Sequence, residues 1–284
     1  MTALLDRVCG IGDEAASGLT EQVRTHTELG FHGIELRTVG GSGIHRLSLD
    51  EVRAIADDVA AAGLVIPVLD TPVGSWAVSV RTDLESELDV LRASLDRAAL
   101  LGCTRLRVMS YQNDGLSEHD WRAESLRRMR VLADVAEQAG MVLLHENCHG
   151  WAGQGSRQSL DMMATVDSPA LRLLFDTGNG LAYGYDGPEF LRAVIDLVDH
   201  VHVKDGHHDA NGEAVFGMPG EGEADIAGCV TTLEEHGYAG WYSIEPHVAL
   251  IPHLGVSGDP ALMRQAYAEY GRRFFGLLDS VVSS

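Results

Sequence analysis

From end to end the chain alternates short apolar runs with longer stretches of helical periodicity, and eight such pairs can be marked out. The runs lie at 8–12, 33–39, 65–70, 105–110, 142–147, 172–176, 200–205 and 241–246, each rich in Val, Ile and Leu as buried strands are. Amphipathic segments such as 49–62, 84–101, 118–139, 189–198 and 226–236 separate them. Gly63, Gly102, Gly140 and Gly237 follow four of these segments, where a helix must stop and the chain turn back. Strands alternating with helices pair in parallel, and eight units within 284 residues fit closure into a (β/α)₈ barrel better than an open sheet. An open doubly wound sheet is the rival; no GxGxxG or P-loop pattern follows the first strand to support it. With no linker or compositional break, one domain over 1–284 is expected.

Twenty-one Lys and Arg stand against 42 Asp and Glu, a net charge of −21 that repels a nucleic-acid backbone over most of the surface. A local basic pocket for one anionic group stays compatible with that sum. The four cysteines Cys9, Cys103, Cys148 and Cys229 form no CxxC pair, and MTALLDRVCG lacks a signal-peptide core, so a cytoplasmic protein is expected. No apolar run is long enough for a membrane span.

Buried parallel strands should read as continuous apolar runs, so a charged or imidazole group at a strand end asks for a cause. Four consecutive strands carry one: VLLHEN supplies Glu146, RLLFDTGN supplies Asp176, HVHVKD supplies His202 and WYSIEPH supplies Glu245. The gaps between them leave room for one helix and a return to the same rim. Three carboxylates brought together would raise one another's pKa, and a divalent cation removes that penalty. Three carboxylate oxygens and an imidazole form a mostly hard ligand set, for which Mn²⁺ is the first expectation, with Mg²⁺, Co²⁺ or Zn²⁺ as alternatives.

At these residues the sequence resembles the xylose isomerase-like superfamily of sugar-phosphate isomerases and epimerases, inosose dehydratase and endonuclease IV. The likeness rests on GFHGIEL at 30–36, LLHEN at 143–147, LFDTGN at 174–179, HVHVKD at 200–205, PGEGEAD at 219–225 and SIEPH at 243–247. It implies a TIM barrel with Glu146, Asp176, His202 and Glu245 as metal ligands, and with Glu146 and Glu245 as a proton-transfer pair. Endonuclease IV-like members need further His and Asp ligands, and Asn179 stands where they commonly place His. The expected reaction is therefore isomerisation or epimerisation of a ketose, keto-sugar or cyclitol. Elimination is the rival, either inosose-type dehydration or cleavage of a 3-keto C-glycoside, and a non-catalytic sugar-binding barrel is the third reading. The resemblance also implies self-association, or a small partner subunit under the cleavage reading.

Further candidates for substrate contact are Glu35, His145, His149, Asn179, Lys204 and His247. Lys204 suits a developing enediolate oxygen. His145 has the opposite strand parity to Glu146, which makes a packing role its rival. For Glu35 the rival is an ion pair with Arg37 or Arg107. Trp151 reads equally as a sugar-stacking or a loop-packing residue, His207 and His208 as mouth or solvated loop residues, and GMPGEGEAD as a lid or a flexible turn cluster.

Overall fold

The computed structural model describes residues 4–248, 250–251, 256–257 and 259–282; the rest of the expected 1–284 unit lies outside the described residues. In chain order the strands are β1 (Val8–Gly10), β2 (Thr38–Val39), β3 (Ser42–Gly43), β4 (Leu69–Asp70), β5 (Arg105–Ser110), β6 (Val142–Gly150), β7 (Leu171–Asp176), β8 (Val198–Val203), β9 (Asp205–His208), β10 (Ala214–Gly217), β11 (Trp241–Ile244), β12 (Leu250–Ile251) and β13 (Val256–Ser257). The helices are α1 (Leu19–Leu29), α2 (Leu49–Ala61), α3 (Leu84–Leu100), α4 (Glu118–Gln138), α5 (Ser156–Val166), α6 (Asn179–Tyr183), α7 (Gly187–Val194), α8 (Ile226–Glu235) and α9 (Pro260–Val282).

Seven strands pair in parallel in the order β1-β11-β8-β7-β6-β5-β4. The eighth stave is the segment 33–36, which touches both open edges through parallel bridges: Ile11 with Glu35, Gly33 with Val65, and Leu36 with Leu69. Glu35 N donates to Gly10 O at 2.9 Å and Asp70 N to Leu36 O at 2.8 Å, so the ring is closed and the fold is a single-domain TIM barrel.

Three expected strands come out differently. The 33–39 run keeps only 33–36 in the barrel wall, because the chain then leaves it for the β2–β3 hairpin, turned at Gly40 (φ 61°) and Gly41 (φ 77°). The 65–70 run is reduced to β4, and Pro67, which has no N–H for the ladder, lies within the lost part. The 200–205 run starts earlier, at Val198, and breaks at Lys204, after which β9 pairs antiparallel with β10. The helical stretch expected over 189–198 is α7, followed by a 3₁₀ turn over Ile195–Leu197.

Helix ends follow local chemistry. Ser48 and Glu51 form a capping box at α2, while Asp83, Ser117 and Asp186 accept the first amides of α3, α4 and α7. Gly63, Gly102, Gly140 and Gly237 all take the positive φ expected of them, 68° to 81°. Among the described residues no helix is long and apolar enough to cross a membrane.

The main core lies between the sheet and the helices. Inside the barrel, Val68, Leu144 and Leu174 form a separate small apolar plug. Strand residues of one parity share a face, so the next inward positions above Leu144 and Leu174 are Glu146 and Asp176. Along β4, β6 and β7 the barrel interior thus changes from apolar to charged within two residues.

The seam where β1 meets β11 is tightly packed. A Cβ on Gly10 would collide with the Tyr267 hydroxyl and with Ile244 Cγ1, and the hydroxyl is held at 2.9 Å from His26 Nε2. Gly10→Ala is expected to destabilise the protein by about 1–3 kcal/mol, as overpacking of a tight core does, read as a lower urea midpoint at unchanged slope.

Candidate functional site

Glu146, Asp176 and His202 project inward from β6, β7 and β8, and Glu245 follows β11 directly. One donor atom from each lies within 4.8 Å of the other three, and all four residues are buried. Asp176 pairs with His202 in the ladder and His202 with Ser243, so strand register alone brings these ends to one level. Asp176 Oδ2, His202 Nδ1 and Glu245 Oε2 are buried without a hydrogen bond. Lys204 Nζ approaches two of them, at 3.0 Å from Asp176 Oδ2 and 2.6 Å from Glu245 Oε2. Arg107 Nη1 reaches Glu146 Oε2 at 2.9 Å.

The electrostatics record this crowding. Burial pushes the Asp176 carboxyl up to about 7 against the pull of Lys204, with Glu245 and Glu146 adding to the rise. Burial acts the same way on Glu245, but there Lys204 and then His247 win and hold it well below the ordinary carboxylate value. Glu146 is likewise lowered despite burial, chiefly by Arg107. Four buried donor groups converging on one point, three carboxylates and an imidazole with Lys204 as the cation between two of them, fit a hard divalent ion.

A second layer supports the first. Glu35 lies fully buried between two imidazoles, with His200 Nε2 at 2.9 Å and His202 Nε2 at 3.0 Å. Glu35 therefore neither touches the cavity nor pairs with Arg37 or Arg107, the two roles expected of it; it orients His202 and leaves Nδ1 facing the carboxylates. His200 was missed in the sequence because its partner is 165 residues away, although its shared parity with His202 was visible. Burial disfavours charge on His202, yet Glu35 and Glu245 raise its pKa well above the ordinary imidazole value. A metal ion would have to displace that proton. The arginines are engaged elsewhere: Arg37 with Asp13, Glu14 and Glu245, and Arg107 with Asp70 and Glu146.

Above the four donors lies a cavity of about 340 Å³ whose wall includes Glu146, Glu245, Asn179, Lys204, His149 and His247. Asn179 Nδ2 donates to Glu146 Oε1 at 2.9 Å, and Lys204 Nζ donates to Asn179 Oδ1 at 3.1 Å. His247, in the left-handed region at φ 51°, donates its backbone N–H to Glu14 Oε2. The His149 ring meets Tyr183 edge-on. His145 does not join them: it is fully buried, both ring nitrogens are without hydrogen bonds, and burial lowers its pKa to about 4. Trp151 is buried too and donates to Glu118, which is the loop-packing role. The aromatic walls are Trp76, Tyr183 and Phe216, none singled out in the sequence, since each arrives from a loop or hairpin without strand periodicity.

The segment carrying Phe216 is pinned and not a loose turn. Asp205 accepts the amides of Gly206, Gly220, Gly222 and Ala224 at 2.7 to 3.2 Å. His208 faces Glu223 at 2.8 Å on the exposed side of this hairpin.

A family model described as xylose isomerase-like TIM barrel matches residues 23–267. The chain belongs to that family. It is similar to the inosose dehydratase of Geobacillus kaustophilus, 28% identical over 196 residues that make up 59% of this chain and 63% of that protein. The inosose dehydratase of Clostridium perfringens is 27% identical over 46% of this chain and 48% of its own length. The chain thus matches between about half and two thirds of the length of these curated relatives. Among solved structures, a xylose isomerase domain protein from Planctomyces limnophilus superposes with a TM-score of 0.76 at 18% identity over the whole of both chains. The 3-keto-D-glucoside 4-epimerase of E. coli gives 0.70 at 18% identity, covering 95% of this chain and 98% of that one. A Mycobacterium smegmatis barrel in complex with magnesium gives 0.68 at 20%, covering 92% and 88%.

Two outcomes are expected from titration with Mn²⁺ or Mg²⁺ followed by calorimetry. Affinity rises with pH up to the raised pKa of His202, because below it the proton on Nδ1 competes for the site. Glu35→Gln, which removes no direct ligand, weakens binding about 10- to 100-fold, as loss of a supporting carboxylate does.

Proposed function

We propose that the protein is a divalent-metal-dependent isomerase or epimerase of a small ketose, keto-sugar or cyclitol. The observation that carries this is the placing of two glutamates, each against a different cation, in the wall of one small cavity: Glu146 beside Arg107 and Glu245 beside Lys204. At about 340 Å³ the cavity is at the small end of ligand sites, which suits a single sugar ring.

Held by Glu146, Asp176, His202 and Glu245, a divalent ion supplies polarisation of a carbonyl and so acidifies the adjacent C–H; Mn²⁺ is the first candidate, with Mg²⁺, Co²⁺ or Zn²⁺ as alternatives. Glu245 takes the proton from carbon and later gives it up to solvent, while Glu146, a carboxylate at rest, takes up a proton from water and delivers it to carbon. Return to the opposite face of the same carbon gives the epimer; return to the neighbouring carbon interconverts aldose and ketose. Lys204 Nζ lies against the Glu245 carboxylate and balances negative charge as it develops on the substrate oxygen. Asn179, bonded to both Glu146 and Lys204, fixes the two groups relative to each other. Phe216 and Tyr183 form the apolar wall that keeps bulk water from the reacting carbon.

A second reading is dehydration, favoured by the inosose dehydratases among the relatives and by His149, a third proton carrier in the cavity wall. After the same proton abstraction, the electron pair left on carbon expels a β-hydroxide, which leaves as water with a proton from the imidazole.

Incubation of metal-loaded protein with a panel of keto-sugars and inososes in D₂O separates the two. Deuterium on carbon in a recovered or epimerised sugar supports the first reading, and stoichiometric release of water with an unsaturated product supports the second. Glu245→Gln, assayed with its metal content measured, is expected to lower kcat/KM by about 10²- to 10⁴-fold, the usual worth of a positioned base. Near-native turnover of that variant with metal bound would overturn the assignment of Glu245.

A further inference from the structure

The 340 Å³ cavity is not the whole of the barrel mouth. It opens beside a second hollow of about 720 Å³, and the two share four wall residues: Arg37, Trp76, Arg107 and Met109. Their combined volume is several times what one sugar ring needs. Besides these shared residues, the wall of the second hollow carries the apolar Ala16, Pro72, Ala77, Pro260 and Met263, together with His45 and the exposed Arg46. Trp76, 43% exposed, stands where the two spaces join.

Two chemistries could extend a sugar into this space, an anionic group or an apolar one, and the charges decide between them. Arg37 and Arg107 are the cations that both hollows share, but Arg37 lies within 3.3 Å of Asp13, Glu14 and Glu245, and Arg107 within 3.1 Å of Asp70 and Glu146. Each of these two guanidiniums therefore faces at least two carboxylates and offers no surplus positive charge; the third in the wall, Arg46, is exposed, donates from Nε to His45 Nε2 at 3.2 Å, and has its charge screened by solvent. Asp13 and Asp70 themselves line the hollow, so a phosphate there would meet two carboxylates. An aromatic or other apolar group finds the opposite: Trp and Met faces, proline rings and methyls that lose water on contact.

We infer that the hollow behind Trp76 and Met109 is a binding subsite for an apolar, aryl-type substituent on the sugar, so that the substrate is an unphosphorylated glycoside or substituted sugar rather than a free or phosphorylated monosaccharide. The inference rests on the reading of the smaller cavity as the sugar site. Trp76 is the contact shared by ring and substituent, and Ala16 and Ala77 are small residues in the subsite wall.

Equilibrium binding to the Mg²⁺-loaded protein tests it, followed by tryptophan fluorescence and calorimetry with D-glucose, its 4-nitrophenyl β-glycoside and glucose 6-phosphate as probes. The arylated sugar is expected to bind at least about ten-fold more tightly than glucose, a gain at the low end of what burial of one aromatic ring supplies. Glucose 6-phosphate is expected to bind no better than glucose. Ala16→Trp and Ala77→Trp, each of which fills part of the hollow, should each bring the arylated sugar back to the affinity of glucose; the second keeps the test decisive if the first fails to fold. Equal affinity of the two sugars, tighter binding of the phosphate, or an aryl advantage that survives in a folded variant overturns the inference. Deuterium exchange without any aryl advantage removes the subsite and leaves the proposed chemistry; an aryl advantage without exchange in any substrate does the reverse.

Discussion

The barrel mouth is governed by one problem of charge. Asp13, Glu14, Glu35, Asp70, Glu146, Asp176 and Glu245 are all buried there, and the cations set among them are Arg37, Arg107 and Lys204. Carboxylates out of water are tolerated only when paired, bonded or protonated. Each device is in use. Arg37 and Arg107 are shared between acids, the imidazoles of His200 and His202 clasp Glu35, and Glu14, pushed up to about 8 by burial against the pull of Arg37, stands near neutrality. Asp176 and Glu245 are left to share the single ammonium of Lys204, with His202 Nδ1 beside them, and that thinly compensated group is where a divalent ion fits.

Closure of the sheet makes this concentration of charge possible. In a barrel every inward strand position faces every other, so two residues beyond the plug of Val68, Leu144 and Leu174 the side chains have nowhere to point except at one another. An open sheet would have spread the same strand ends along an edge. The loops then finish the site: Asp205 ties four amides of the following segment to the end of β8, and the hairpin so fixed carries Phe216 to the cavity wall.

Much of this was legible in order of residues alone. Strand and helix alternation read through to the barrel because a parallel strand buried on both faces must be apolar throughout and its helix amphipathic. Glu146, Asp176, His202 and Glu245 could be picked out because four consecutive buried strands each end in a polar group, a coincidence that separate ion pairs or caps explain poorly. His145 could be set apart by parity, and the four helix-ending glycines by the left-handed turn they alone make cheaply.

The remainder needed the folded chain. Glu35 was visible as a polar group in a strand, but whether it met substrate, an arginine or a histidine depended on which staves lie across the barrel, and His200 reaches it over 165 residues of chain. The same holds for Arg37 and Arg107, whose positive charge is evident in sequence and whose neutralisation by Asp13, Glu14, Asp70 and the glutamates is not. Trp76 and the hollow behind it obey no period at all, because loops carry none. Periodicity records which way a side chain faces relative to its own backbone; what it faces is decided by strand order and closure, and these arise only when distant segments pack.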